Sequence, residues 1–231
     1  MGLNPCRHNV VSQEFSMIID WAFRQSDIDV LLGGSCALSE FYLGHRVPED
    51  IDFFISKKED LKAFKTALSQ SFKIQREEVI KRASSYRYIV EAGGQDIVVH
   101  CTRSEKLKHP KERESYTTKF ESIQLHTPDF IGAWKLSRRR QESLIDCTKK
   151  VIDLYFLTCA GVTFSDFLSV FYAFKIEPRN MVNWPYQFPY YDASLLKEIS
   201  LKHLSSSQVD PFLEKFRTEV KAILKDKKQE N

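Results

Sequence analysis

The sequence predicts an α/β (α+β) protein in which a mixed β-sheet with flanking helices occupies the first half and an α-helical lobe the second. Three observations carry this. Up to about residue 126, short apolar or alternating runs are separated by turn residues, among them Val30–Leu32, Asp50–Ile55, Tyr86–Glu91, Asp96–Cys101 and Ser122–Leu125, the pattern of strands. From Thr127 onward, apolar residues recur at helical spacing instead. The shift falls at Thr127-Pro128-Asp129, a helix start with proline in its first turn. The expected division is therefore 1–126 for the α/β lobe and 127–231 for the helical lobe.

In chain order, Val11, Phe15, Ile18, Ile19, Ala22 and Phe23 place one amphipathic helix between Val10 and Gln25. Asp27-Ile28-Asp29 opens a strand that runs into Gly33-Gly34-Ser35, and a helix follows from Cys36 to Leu43 with Ser35 as its N-cap. Asp50-Ile51-Asp52-Phe53-Phe54-Ile55 reads as a buried strand. Ser56 is the expected N-cap of a helix from Lys58 to Phe72, with Leu61, Phe64, Leu68 and Phe72 on one face. Extended segments follow at Lys73–Lys81, Tyr86–Glu91 and Asp96–Cys101, the last two joined by a Gly93-Gly94 hairpin turn. Thr102–Thr118 is charged and poor in apolar residues, so an exposed flap is expected there. The second half reads as helices at Asp129–Gln141, Leu144–Cys159, Thr163–Ala173, Ala193–His203 and Pro211–Lys225, interrupted by a proline- and aromatic-rich stretch from Pro178 to Asp192.

Composition narrows the function classes. Of 231 residues 42% are hydrophobic, enough for a packed core. No apolar run reaches the length of a membrane span, and the N-terminus lacks the order of a secretory signal, so a cytoplasmic protein with no membrane partner is expected. The five cysteines are odd in number and lack any Cys-x-x-Cys spacing, which excludes a disulfide framework and a zinc knuckle and reads as buried, reduced thiols. A net charge of +3 does not by itself imply nucleic acid. Lys106, Lys108, Lys111 and Arg113 on the flap and Arg138, Arg139 and Arg140 on a helix are a possible positive surface for RNA.

Two neighbouring motifs carry the chemistry. Gly33 and Gly34 between strand and helix let backbone amides approach a phosphate closely, with Ser35 adding a hydroxyl. Asp50 and Asp52, two apart on a strand, project from one face. Paired carboxylates at the edge of an apolar strand repel each other unless a cation lies between them, and a divalent metal is the usual one.

Taken in order, this Gly-Gly-Ser loop, the apolar helix, Leu43-Gly44-His45-Arg46 and Asp50-Ile51-Asp52-Phe53-Phe54-Ile55 resemble the polymerase-beta-like nucleotidyltransferase superfamily, and within it the AbiEii/AbiGii-type toxin family. The helical half adds to the resemblance through Asp129-Phe130, Lys135, and Lys150-x-x-Asp153-Leu154-Tyr155-Phe156-Leu157. The resemblance covers Val30 to Leu157. It implies a nucleotidyltransferase fold and a metal-dependent transfer of a nucleoside monophosphate from a nucleoside triphosphate, with Mg2+ or Mn2+. It further implies a toxin of a toxin–antitoxin or phage-defence pair, hence an antitoxin partner. The acceptor it brings first is RNA, in particular a tRNA 3′ end. A protein hydroxyl or a small molecule such as an antibiotic remains open, as does a nucleotide-binding module without turnover.

By that resemblance Asp50 and Asp52 hold metal, while Gly33, Gly34 and Ser35 hold the nucleotide, with Arg46 reaching the nucleotide or bracing an acid. A third carboxylate is expected on a later strand. Alternation places Asp96, Val98 and His100 on one face, leaving either Asp96 or His100 for that position. Lys135 suits a triphosphate contact, and Asp153 on an apolar helix face needs a partner, for which Lys135 is the natural one. A purely structural ion pair is the alternative.

Overall fold

In a computed structural model, the described residues are 3–80, 84–104, 117–137, 143–173 and 191–229. They form two compact units, one spanning Asn4–Thr127 and the other running from Pro128 onward.

The first unit contains a seven-stranded sheet in the order β3-β4-β5-β2-β1-β7-β6. Its strands are β1 (Val30–Gly33), β2 (Asp50–Ile55), β3 (Lys73–Val79), β4 (Ser85–Ala92), β5 (Gln95–Arg103), β6 (Thr117–Phe120) and β7 (Ile123–His126). The β2/β5 and β1/β7 pairs are parallel and the other pairs antiparallel, so the sheet is mixed. Helices α1 (Gln13–Phe23) and α3 (Lys58–Ser71) pack on one face, where Phe53 of β2 meets Phe23 and Phe64 edge to face or tilted. By alternation Asp50 and Asp52 stand on the other face. The edge strand β3 is blunted by charge, carrying Lys73, Arg76, Glu77 and Glu78, and by a register shift between Ile74 and Arg76.

Several local expectations are corrected. Ser56 does not cap α3; Lys57 holds the N-cap position without a side-chain bond, and Ser56 donates to Asp29 at 3.1 Å. Ser35 is likewise not a cap. The extended Gly33 (φ −137°, ψ −155°) is the N-cap of α2 (Gly34–Leu38), which places Ser35 inside the first turn. The helix then widens into a π-helical segment, Ser39–Leu43, closed by Gly44 in the left-handed region at φ +57°. The ends of the expected flap are strand: Thr102 and Arg103 belong to β5, and Thr117 and Thr118 to β6. Lys106, Lys108, Lys111 and Arg113 lie outside the described residues, as do Arg138, Arg139, Arg140 and most of the Pro178–Asp192 stretch.

The second unit is helical: α4 (Pro128–Ser137), α5 (Leu144–Cys159), α6 (Phe164–Ala173), α7 (Ala193–Ile199) and α8 (Ser206–Gln229). One core joins Val151 and Ile152 of α5 to Leu196, Leu204, Val209 and Leu213. Gly132 of α4 lets Phe167 of α6 approach closely, since a Cβ there would lie 2.3 Å from the Phe167 ring. Helix α8 starts five residues before the expected Pro211, because the Gln208 side chain reaches back to Ser205 and its Oε1 accepts the Ser205 N–H at 3.1 Å and the Ser205 hydroxyl at 3.0 Å. Among the described residues no single helix is long and apolar enough to cross a membrane. Cys36 and Cys101 are buried as expected, whereas Cys6 and Cys159 are exposed.

Candidate active site

The strand β1 ends where the glycine loop begins, and its antiparallel pairing with β2 sets Gly33 opposite Asp52. This register brings the two sequence motifs together. Gly34 takes φ +62°, a conformation that disfavours any side chain. A Cβ at Gly34 would also fall 1.8 Å from Asp52 Oδ2. Gly33 is equally enclosed, since its Cβ would meet His126 Nδ1 at 2.5 Å and Phe54 Cε2 at 2.6 Å. Gly34 is therefore required by close approach to the acid strand, and Gly33 by close approach to His126 of β7 and Phe54 of β2. Ser35, buried at 7% exposure, donates from Oγ to Asp50 Oδ1 at 3.4 Å.

The parallel β2/β5 register sets Asp50 opposite Val98 and Asp52 opposite His100. His100 Nδ1 lies 3.8 Å from Asp52 Oδ1. Asp50, Asp52 and His100 offer ligand atoms all within 4.8 Å of one another. Asp96 stands at the exposed start of β5, paired in register with Glu91 across the hairpin, and is not brought into this group. Two atoms bonded to one ion at about 2.1 Å are at most about 4.2 Å apart, so the 3.8 Å separation is compatible with a shared ion. Two carboxylates and an imidazole are a donor set for a divalent cation.

Arg46 is buried beside this region and donates from Nη1 to the Val47 carbonyl at 3.4 Å. Its charge and those of the acids meet at Cys36. Burial pushes the Cys36 thiol well up, Asp50, Asp52 and Glu40 push it further, and Arg46 opposes them. Cys36 is thus a neutral packing group. Glu40 is a buried carboxylate that sequence reading passed over. It accepts the backbone N–H groups of Asn9, Val10 and Val11 at 3.2, 2.8 and 3.2 Å, with Cys6 and His8 N–H bonding to the Phe41 and Glu40 carbonyls. It ties the N-terminal segment to the helix that carries Ser35. The available signal was a lone acid inside the apolar run Ala37-Leu38-Ser39-Glu40-Phe41-Tyr42-Leu43.

In the helical unit, Lys135 Nζ of α4 and Asp153 Oδ2 of α5 form an ion pair at 2.7 Å, with Asp153 fully buried and Lys135 17% exposed. The expected partnership is therefore present. Around Asp153, Val151, Ile152, Leu154 and Leu157 are buried as well.

The family model described as "Nucleotidyl transferase AbiEii toxin, Type IV TA system" matches residues 20–226. No curated protein matches. Among solved structures, a Helicobacter pylori protein described as a candidate nucleotidyltransferase aligns at TM-score 0.52 and 18% identity, over 92% of this chain and 98% of that one. MenT4, a nucleotidyltransferase toxin from Mycobacterium tuberculosis, aligns at TM-score 0.53 and 10% identity, over 83% of this chain and 75% of its own. These likenesses show the nucleotidyltransferase fold, and the family match over most of the chain shows that it belongs to the AbiEii nucleotidyltransferase toxin family of type IV toxin–antitoxin systems.

Proposed function

We propose that the protein transfers a nucleoside monophosphate from a nucleoside triphosphate to the 3′ end of an RNA, with tRNA as the first acceptor to test. The observation that carries this reading is the convergence of Gly34 and Ser35 on Asp52 and Asp50 in one site. In the reaction the acceptor hydroxyl oxygen forms a bond to the α-phosphorus, the bond from that phosphorus to the β-phosphate bridge oxygen breaks, and pyrophosphate leaves. The hydroxyl proton passes to solvent. Asp50, Asp52 and His100 would hold a divalent ion, Mg2+ or Mn2+, which when bound supplies charge neutralisation for the triphosphate.

The chain's own groups do the positioning. Backbone amides of Gly33, Gly34 and Ser35 hold phosphate oxygens, an approach that side chains at 33 and 34 would block. Arg46 braces the acid strand, and Lys135, oriented by Asp153, contributes a cation for the triphosphate. Asp96 has no role in this reading. The basic residues Lys106, Lys108 and Lys111 contact RNA phosphates. An antitoxin is the protein partner.

The test is incubation with each α-labelled triphosphate, total RNA and either metal ion. Label should enter RNA and be absent with Asp50→Asn/Asp52→Asn. Label entering protein or a small molecule instead would overturn the acceptor, and undiminished transfer by the double variant would overturn the site. Neutralising Lys106, Lys108 and Lys111 should lower the salt slope of RNA binding by about 0.7 to 0.9 per lost phosphate contact.

A further inference from the structure

We infer that His100 is a third ligand of the ion held by Asp50 and Asp52, and that it makes the site select Mn2+ over Mg2+. The inference rests on the function proposed above and concerns which ion that function uses. His100 stands directly opposite Asp52 on a neighbouring parallel strand, on the same face of the sheet. Its Nδ1 lies 3.8 Å from Asp52 Oδ1, already inside the limit of about 4.2 Å for two atoms sharing one ion. Asp52 itself is confined, because Gly34 packs against its carboxylate too closely for even a methyl group between them. The donor set is thus presented by two paired strands and a tight loop.

An imidazole at this position changes the chemistry in two ways. A neutral nitrogen replaces an anionic oxygen, so the three side chains bring a charge of −2 where three carboxylates would bring −3. Mg2+ is small and hard, binds oxygen in near-ideal octahedra and is little attracted to imidazole. Mn2+ shares that preference for oxygen donors, yet as a first-row transition ion it gains more from one nitrogen donor than Mg2+ does. With one carboxylate gone and one imidazole gained, Mg2+ loses more than Mn2+.

The test uses the full chain with Mn2+ and the α,β-methylene analogue of each nucleoside triphosphate in turn. Pulsed electron paramagnetic resonance of bound Mn2+ should show nitrogen modulation that shifts when the protein is made with 15N-histidine, and the modulation should vanish in His100→Asp. Calorimetry should give a Mn2+ to Mg2+ affinity ratio that falls at least tenfold in His100→Asp, with Mg2+-supported transfer gaining relative to Mn2+. Bound Mn2+ without histidine modulation, or a ratio unchanged by the substitution, overturns the inference while leaving the nucleotidyltransferase reading intact. Undiminished Mn2+ binding by Asp50→Asn/Asp52→Asn removes the site from both. The spectroscopic result on the unmutated protein stands even if His100→Asp fails to fold.

Discussion

Replacing Gly34 by alanine separates backbone strain from displacement of Asp52. At φ +62° a Cβ costs about 1–2 kcal/mol, offset by about 0.4–1 kcal/mol because alanine restricts the unfolded chain. The net backbone effect is then about 0 to 1.6 kcal/mol, a fall in Tm of at most about 6 °C at roughly 2–4 °C per kcal/mol. The larger consequence is local. The added carbon would lie 1.8 Å from Asp52 Oδ2, 2.7 Å from its Cγ and 3.0 Å from its Cβ, so the whole carboxylate must leave its place. Mn2+ affinity measured by calorimetry should fall more than tenfold and nucleotide transfer more than a hundredfold. Gly94 supplies the control, because it has φ +82° with nothing within 4 Å of its Cβ position. Gly94→Ala carries the same kind of backbone cost and should leave metal binding unchanged. Equal losses in both variants, or normal metal binding by Gly34→Ala, would refute the argument that Gly34 exists to admit Asp52.

Asp50→Asn and Asp52→Asn should each abolish transfer while leaving the metal-free Tm unchanged or raised, since each removes a like-charge neighbour; a marked loss of Tm would make the pair structural. Lys135→Met strands a buried carboxylate and should cost about 3–5 kcal/mol, whereas Lys135→Met/Asp153→Leu should recover most of that stability in urea melts and stay inactive. A stable and active double variant would leave Lys135 with no role in transfer. Burial and nearby acids hold the Cys36 thiol protonated, and burial does the same for Cys101, so a thiol reagent at pH 8 should modify Cys6 and Cys159 quickly and those two only after unfolding. Tyr191 is pushed up to about 12, chiefly by burial and then by its hydrogen bond to Asp210. Its folded value lies above the unfolded value of about 10, so its contribution is whole below pH 10 and is lost as pH rises towards 12. Urea titrations between pH 9 and 11.5 should show this decline, and Tyr191→Phe should remove that component.

Much of the fold was legible because its signals are local. Strand β2 and helix α5 have the bounds read from apolar pattern alone, and the Gly93-Gly94 turn takes positive φ at both positions as a tight hairpin requires. What escaped depended on competition between local choices. Ser56 looked like a cap, but its hydroxyl donates instead to Asp29, the residue just before β1. Pro211 looked like a helix start, but the bonds from Ser205 to the Gln208 side chain close the turn before it, and the proline is accommodated inside α8. Strand β6 straddles the end of the charged segment, and its residues, Thr117 to Phe120, are partly covered or exposed and show little apolar signal.

The site divides along the same line. Gly33, Gly34, Ser35, Asp50 and Asp52 lie within twenty residues, at the junction of β1 with α2 and on β2, and β1 pairs directly with β2, so their meeting follows from one short connection. The third position depends on pairing between β2 and β5, whose registered residues are 48 apart in sequence. Alternation fixes only the face, and a shift of two or four residues keeps every side chain on its side of the sheet. Asp96 and His100 were therefore indistinguishable by pattern. Packing breaks the tie. Bringing Asp96 opposite Asp52 would slide β5 by four residues, pair Ile55 with Val99, and carry Cys101 beyond the end of β2. In the observed register Cys101 lies opposite Phe53 and is fully buried. The apolar residues on the far face thus set His100, and not Asp96, opposite Asp52.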